Sequence, residues 1–227
     1  MLEDTNPKLG RFTTIDPLAE KYPHMSPYAY CSCNPVNFVD PDGRRIIFAN
    51  GVSDKFKEQY ATVVQFMISR GTAGDLEKLE ASNTVYYISS PNTEYNNIFV
   101  PALNTIFWNP NEIRITDDYI NMSPATILAH EAAHASEYDR VKNSGSSKEK
   151  SRLSAMKQEK SDPEYDTLEE RRVITGPEQE AARKHREIRE NQVTRRNHKI
   201  LKSTLSVPDE MTPEELSKSL FEHNSLF

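Results

Sequence analysis

The sequence predicts an α+β fold with a small sheet packed beside one central helix. Three observations lead there. Short runs rich in β-branched and aromatic residues recur at 45–50, 84–89, 105–108 and 112–116. Helical stretches alternate with them, the clearest over 53–70, by its spacing of apolar residues, and over 123–142, by its cap and its helix-favouring Ala and Leu. Finally, 227 residues at 36% hydrophobic content suffice for one core, while a mean hydropathy of -0.72 leaves room for long solvated excursions.

Residues 1–43 read differently from the rest. Asp16-Pro17, Ser26-Pro27, Asn34-Pro35 and Asp40-Pro41-Asp42-Gly43 punctuate them. X-Pro pairs disfavour helix, and Asp-Gly marks a tight turn. Cys31 and Cys33 stand one residue apart. That spacing suits neither a mutual disulfide nor a closed zinc site, so they read as incidental thiols.

From residue 45 the elements come in order. Arg45-Ile46-Ile47-Phe48-Ala49-Asn50 reads as a strand ending at Gly51. Ser53 caps a helix with Phe56, Tyr60, Val63, Val64 and Met67 on one face, and Gly71 ends it. A short helix over 75–81 turns Leu76 and Leu79 inward, and 84–89 is a strand. The runs 105–108 and 112–116 are expected to pair as a hairpin around Asn109-Pro110-Asn111, with Trp108 as a core anchor.

The central helix starts at Ser123, with Pro124 at its first position, and should run to about Lys142. The polar, Ser/Lys/Glu-rich segment 143–162 is expected to be a mobile insertion. Order resumes at 168–175 and is punctuated by Gly176-Pro177, and 178–202 is helix-like. Thr212-Pro213-Glu214-Glu215 is a capping box opening a last short helix through Phe221. The expected division is 1–43, a main domain over 44–204, and a tail over 205–227. No run is apolar enough to span a membrane, and Met1-Leu2-Glu3-Asp4 lacks the features of a signal peptide.

The chemistry concentrates on the central helix, in His130-Glu131-Ala132-Ala133-His134. Positions four apart lie one above the other on a helix, so His130 and His134 can aim two imidazoles at one point. Glu131 stands beside them. Two nitrogen ligands and a carboxylate that takes a proton from water are what a catalytic zinc requires. A third ligand must come from elsewhere: Glu137, Glu169, Glu170, Glu178, Glu180, His185 and His198 all lie beyond His134. Glu137 belongs to the same helix, and one straight helix seldom supplies three ligands to a tetrahedral ion. Tyr165, Arg172, His185 and His198 are candidates to stabilise a tetrahedral oxyanion.

Charge is uneven. The net value is -6, yet 183–202 holds eight Lys/Arg and two Glu. Nucleic-acid binding through that stretch is disfavoured by the overall negative charge and by the scarcity of nearby aromatic residues. A solvated helix face is the simpler expectation.

Two resemblances sharpen these expectations. The segments 10–18, Tyr28-Ala29-Tyr30 and 34–43 resemble the end of the RHS repeat-associated core domain, a β-built shell followed by a variable C-terminal toxin. This implies a secreted or delivered toxin tail, with an upstream RHS shell and a cognate immunity protein as partners. Glu169-Glu170-Arg171-Arg172-Val173 resembles the Glu-Glu-x-Arg signature of effector-type zinc metallopeptidases and is similar to clostridial neurotoxin light chains. That resemblance implies a zincin-like fold, Zn2+ held by His130, His134 and Glu170, and Glu169 close behind. Glu131 would be the general base of an endopeptidase acting on a target-cell protein. A zinc-binding remnant without catalysis is the alternative.

Overall fold

A computed structural model describes residues 5–6, 11–12, 46–208 and 211–225. The RHS-like reading of 1–43, including Cys31 and Cys33, lies outside the described residues apart from a two-residue antiparallel pair, β1 (Thr5–Asn6) and β2 (Arg11–Phe12). The rest is an α+β arrangement of two sheets around one buried helix. The main sheet contains β3 (Ile46–Phe48), β4 (Tyr86–Ser89), β5 (Ile98–Val100) and β6 (Thr105–Phe107) in the order β3-β4-β6-β5. Strands β3, β4 and β6 are parallel, and β5 closes the edge antiparallel to β6.

Helix α1 (Asp54–Arg70) makes the crossover from β3 to β4, followed by α2 (Gly74–Glu80). The Ser53 side chain accepts from Phe56 N–H, and Gly71 adopts φ 65 at the far end, as its position in the sequence predicts. Helix α3 (Pro124–Asn143) is the centre of the molecule. Every residue from Pro124 to Ala135 is buried. A helix covered on all sides cannot be amphipathic, and this one uses alanines at 125, 129, 132, 133 and 135 to let its neighbours approach. Trp108 is fully buried on it and donates from Nε1 to Pro124 O at 2.9 Å. Phe56 and Tyr60 meet its ring edge-on at 5.8 and 6.1 Å.

The expected hairpin around Asn109-Pro110-Asn111 does not form. Trp108 N–H donates to Ser89 O, which keeps β6 beside β4. The chain then leaves for a second sheet, where β7 (Glu112–Thr116) pairs with β8 (Asn121–Met122) and β9 (Ile200–Ser206). Glu112 drives the departure. It is buried, and Asn96 and Asn97 donate to its carboxylate at 2.8 and 3.0 Å. The polar environment of that residue is invisible to strand propensity.

Three further expectations are corrected. Segment 143–162 carries helix α4 (Ser147–Met156), capped by Ser146 and held to α3 by buried Leu153 and by Arg140 and Arg152 shared between Glu137 and Glu149. One inward leucine gives no periodic signal. Gly176-Pro177 does not interrupt the chain: α5 (Leu168–Val173), a π-helical stretch (Ile174–Glu178) and α6 (Gln179–Lys184) form one continuous run. Proline lacks an N–H, and the wider π turn accommodates it. Past Lys184 the helix-like expectation fails, because the chain turns at buried His185 and reaches β9.

The boundary at 204/205 also fails, since it cuts β9. Helix α7 (Pro213–Asn224) opens with the expected capping box at Thr212 and Glu215. Leu216 and Leu220 pack with Ile113 of the second sheet. Fully buried Asn224 accepts from Asn121 N–H and donates to the carbonyls of Asn121 and Glu187. The tail is therefore part of the domain.

Two substitutions test this packing. Trp108→Ala should cost about 3–5 kcal/mol, as for other large aromatic truncations, read from a denaturant melt followed by circular dichroism. Asn224→Ala should cost about 1–3 kcal/mol by leaving buried backbone groups unpaired; an unchanged midpoint would show that α7 is a loose appendage.

Candidate metal centre

The site is built from α3 and the helical run that starts at α5. His130 and His134 lie one turn apart on α3, both buried. Thr167 caps α5 by accepting from Glu170 N–H at 3.0 Å, which places Glu169 and Glu170 in the first turn facing α3. Adjacent helical residues point about 100° apart, so the two carboxylates meet different atoms. Glu170 reaches the inner edges of both imidazoles: Oε2 is 3.4 Å from His130 Nε2, and Oε1 is 3.3 Å from His134 Nε2. The two Nε2 atoms are 3.1 Å apart. Glu169 instead meets His134 from behind, with Oε1 3.1 Å from Nδ1.

Eight residues beyond Glu170, the π-helical stretch brings Glu178 to the back of His130, with Oε2 2.8 Å from Nδ1. Both imidazoles are thus held alike, Nδ1 on a carboxylate and Nε2 turned to the common point. Each carboxylate is in turn fixed by an arginine. Arg172 donates to Glu169 at 2.7 and 2.9 Å and also to Ala133 O. Arg195, almost fully buried, donates to Glu178 at 2.6 and 3.1 Å, and Thr194 donates to the same carboxylate. Burial alone pushes Glu169 and Glu178 up. Arg172, then His134, outweighs it for Glu169, and Arg195 with His130 does so for Glu178; both are brought down to about 2.

This donor set fits a dication. With each Nδ1–H spent on a carboxylate, the two Nε2 lone pairs and the Glu170 oxygens are acceptors facing one another. Glu170 Oε2 is buried and has no hydrogen-bond donor. Either protons or a cation must lie among these atoms. Without a cation, protons take that place: burial pushes His134 down, but the surrounding carboxylates outweigh it and raise it to about 9. A bound dication would displace those protons. A tetrahedral ion with ligands at about 2.0–2.1 Å separates them by roughly 3.3–3.4 Å, close to the spacings observed. Carboxylates behind ligand imidazoles are the usual outer support of such centres.

Glu131 is buried on the same turn, and its Oε2 accepts from Phe99 N–H of the edge strand β5 at 2.8 Å. The other candidates separate clearly. Glu137 is taken by Arg140 and Arg152, and exposed Glu180 by Lys184. His185 is fully buried in a different place, between Thr72 and Thr126. Arg172 is committed to Glu169, and Tyr165 packs under Arg171. Half-exposed His198 does reach the centre, with Nε2 3.5 Å from Glu170 Oε2 and Nδ1 on Asp166 at 2.7 Å.

Sequence reasoning reaches Glu178 only as a ligand candidate and misses the pair Glu178–Arg195. An arginine and a glutamate 17 residues apart carry no local signal when helix α6 and a turn intervene. The basic segment 183–202 is likewise not one solvated face: Arg195 is buried, Arg183 binds Gln179 and the Gln192 carbonyl, and Arg196 pairs with Asp118.

Comparison with family models, curated proteins and solved structures finds no match to this chain.

Zinc titration should give about one ion per chain. Glu170→Gln should weaken binding far more than Glu169→Gln or Glu178→Gln, each of which should cost about 10–100-fold. Wild-type affinity in Glu170→Gln, with loss in either of the others, would overturn the ligand assignment.

Proposed function

We propose that this chain is a zinc-dependent endopeptidase of zincin-like architecture. In this reading it is the toxin end of an RHS-type delivery protein that cuts a protein in a target cell. The observation that carries the enzymatic part is Glu131: a buried carboxylate on the ligand helix, anchored by the edge strand and belonging to no other ion pair among the described residues. Zinc would be held by His130, His134 and Glu170, and once bound it polarises a carbonyl and makes water more acidic.

The protein's own groups do the rest. Phe99 N–H fixes one Glu131 oxygen, so the carboxylate keeps its orientation while the other oxygen accepts a proton from water. Glu131 then returns that proton to the departing amine, a role worth about 10²–10⁴-fold in similar settings. Glu169 and Glu178 hold the two imidazoles in the tautomer with Nε2 free. Buried Arg195 keeps Glu178 ionised for that purpose. His198, oriented by Asp166, is the polar side chain best placed to meet a substrate oxygen beside Glu170. The toxin context rests on the RHS-like segments within 10–43, which also make an upstream shell and an immunity protein the expected partners. No helix among the described residues is long and apolar enough to cross a membrane.

Glu131→Gln is the decisive variant. It should keep about one zinc per chain and lose cleavage of an unfolded protein such as casein by at least about 100-fold. Near-normal cleavage in the variant would remove Glu131 from the mechanism. Zinc binding by a wild-type chain that cleaves nothing would favour the inactive zinc-binding alternative.

A further inference from the structure

Beside the centre lies an apolar cavity of about 310 Å³, between the second half of α3, helix α4 and the turn after edge strand β5. Its floor is Pro101, Tyr138, Val141 and Leu153. Three lysines, Lys142, Lys150 and Lys157, stand around it. We propose that this cavity seats one large apolar side chain of the substrate, and that the lysines select acidic residues on either side of it. This rests on the peptidase reading and adds the substrate class.

Charge points to acidic flanks. Arg140 and Arg152, on the same two helices, are each paired with Glu137 and Glu149. The three lysines have no carboxylate within ion-pair distance among the described residues. The Lys142 and Lys157 ammonium groups sit 5.7 and 5.4 Å from the centre of the Tyr138 ring, so the ring face that closes the floor also holds two cations at the rim. In a chain of net charge -6, this is a local positive surface around an apolar floor. The volume is at the lower end of the about 300–1,000 Å³ of ligand clefts, room for one or two side chains.

The cavity is also linked to the centre through packed residues. Pro101 directly succeeds β5, whose Phe99 N–H holds Glu131, and the Phe99 ring packs on Tyr138 at 5.6 Å. Tyr138 is one helical turn past His134, roughly 6 Å along α3. An extended peptide advances about 3.3 Å per residue, which puts the seated side chain roughly two residues from the bond to be cut. A nucleic acid fits less well, because the cavity lining holds a single aromatic ring and successive bases need several to stack on.

The test uses the full chain carrying Glu131→Gln, loaded with zinc, and a capped fluorescein-labelled peptide with a central leucine between pairs of glutamates. Three comparison probes are a twin with lysines for the glutamates, a twin with serine for leucine, and single-stranded DNA. Anisotropy should show the acidic leucine peptide binding at least about tenfold tighter than either twin, with affinity falling as salt rises. The exposed pair of changes Lys142→Glu and Lys150→Glu should abolish or invert the preference while leaving the thermal midpoint and zinc content unchanged. Equal binding of the two charge twins, no binding of either, a preference that survives the charge reversal, or capture of DNA in place of the peptide would each overturn the proposal. Casein cleavage by the unsubstituted chain separates the two readings. Cleavage without the charge preference defeats the pocket alone. Preference without cleavage defeats the peptidase alone.

Discussion

Two buried imidazoles that share one carboxylate set the terms for the rest of this structure. Imidazole nitrogens at 3.1 Å, with carboxylate oxygens at 3.3–3.4 Å, need a proton or a cation among them and every atom around them fixed. The fold fixes them from two sides. Helix α3 supplies both rings at the one spacing that stacks them. The α5–α6 run supplies three carboxylates, one to the front and two to the back. Burying that much acid would be prohibitive alone, and Arg172 and Arg195 offset it. A buried pair broken on one side typically costs about 3–5 kcal/mol, so these arginines are as much a part of the centre as the imidazoles.

The same demand explains the architecture around α3. A helix buried over its whole first half needs partners on every face, and small side chains to admit them. The main sheet covers one face, α1 and α2 another, and the α5–α6 run a third. Its N-terminus is fixed separately. Ser123 and Thr126 both donate to buried Glu187, and Thr126 also meets His185. Helix α7 reaches the same place through Asn224 on the Glu187 carbonyl. The segment between α6 and β9, which delivers Arg195 and His198 to the centre, is thus held by the C-terminal helix. Stability of the tail and geometry of the site are linked by this polar network.

The π-helical stretch has a particular consequence. In an uninterrupted α-helix, Glu170 and Glu178 would be separated by about 80° around the axis, and Pro177 would clash with the preceding turn. The wider turn at 174–178 admits the proline and redirects the end of the stretch, so that Glu178 arrives behind His130 as Glu170 arrives in front. Such turns recur at functional sites because they re-aim one side chain without ending the helix.

Sequence by itself determined the elements whose signals are local. The caps at Ser53, Ser123 and Thr212, the stop at Gly71, and the spacing of His130 and His134 depend on neighbours within a turn or two. The chain cannot avoid expressing them. Glu170 was legible through its resemblance to a signature and not through any periodicity. The tertiary structure decided whatever depended on a distant partner. Strand β7 left the expected hairpin because Asn96 and Asn97 satisfy Glu112. Helix α4 formed around a single leucine, and α7 joined the domain through Leu216, Leu220 and Asn224. Above all, Glu178 and Arg195 came to the back of His130. A buried ion pair is stable only where the fold removes water and supplies the counter-charge, and no local stretch of residues encodes that.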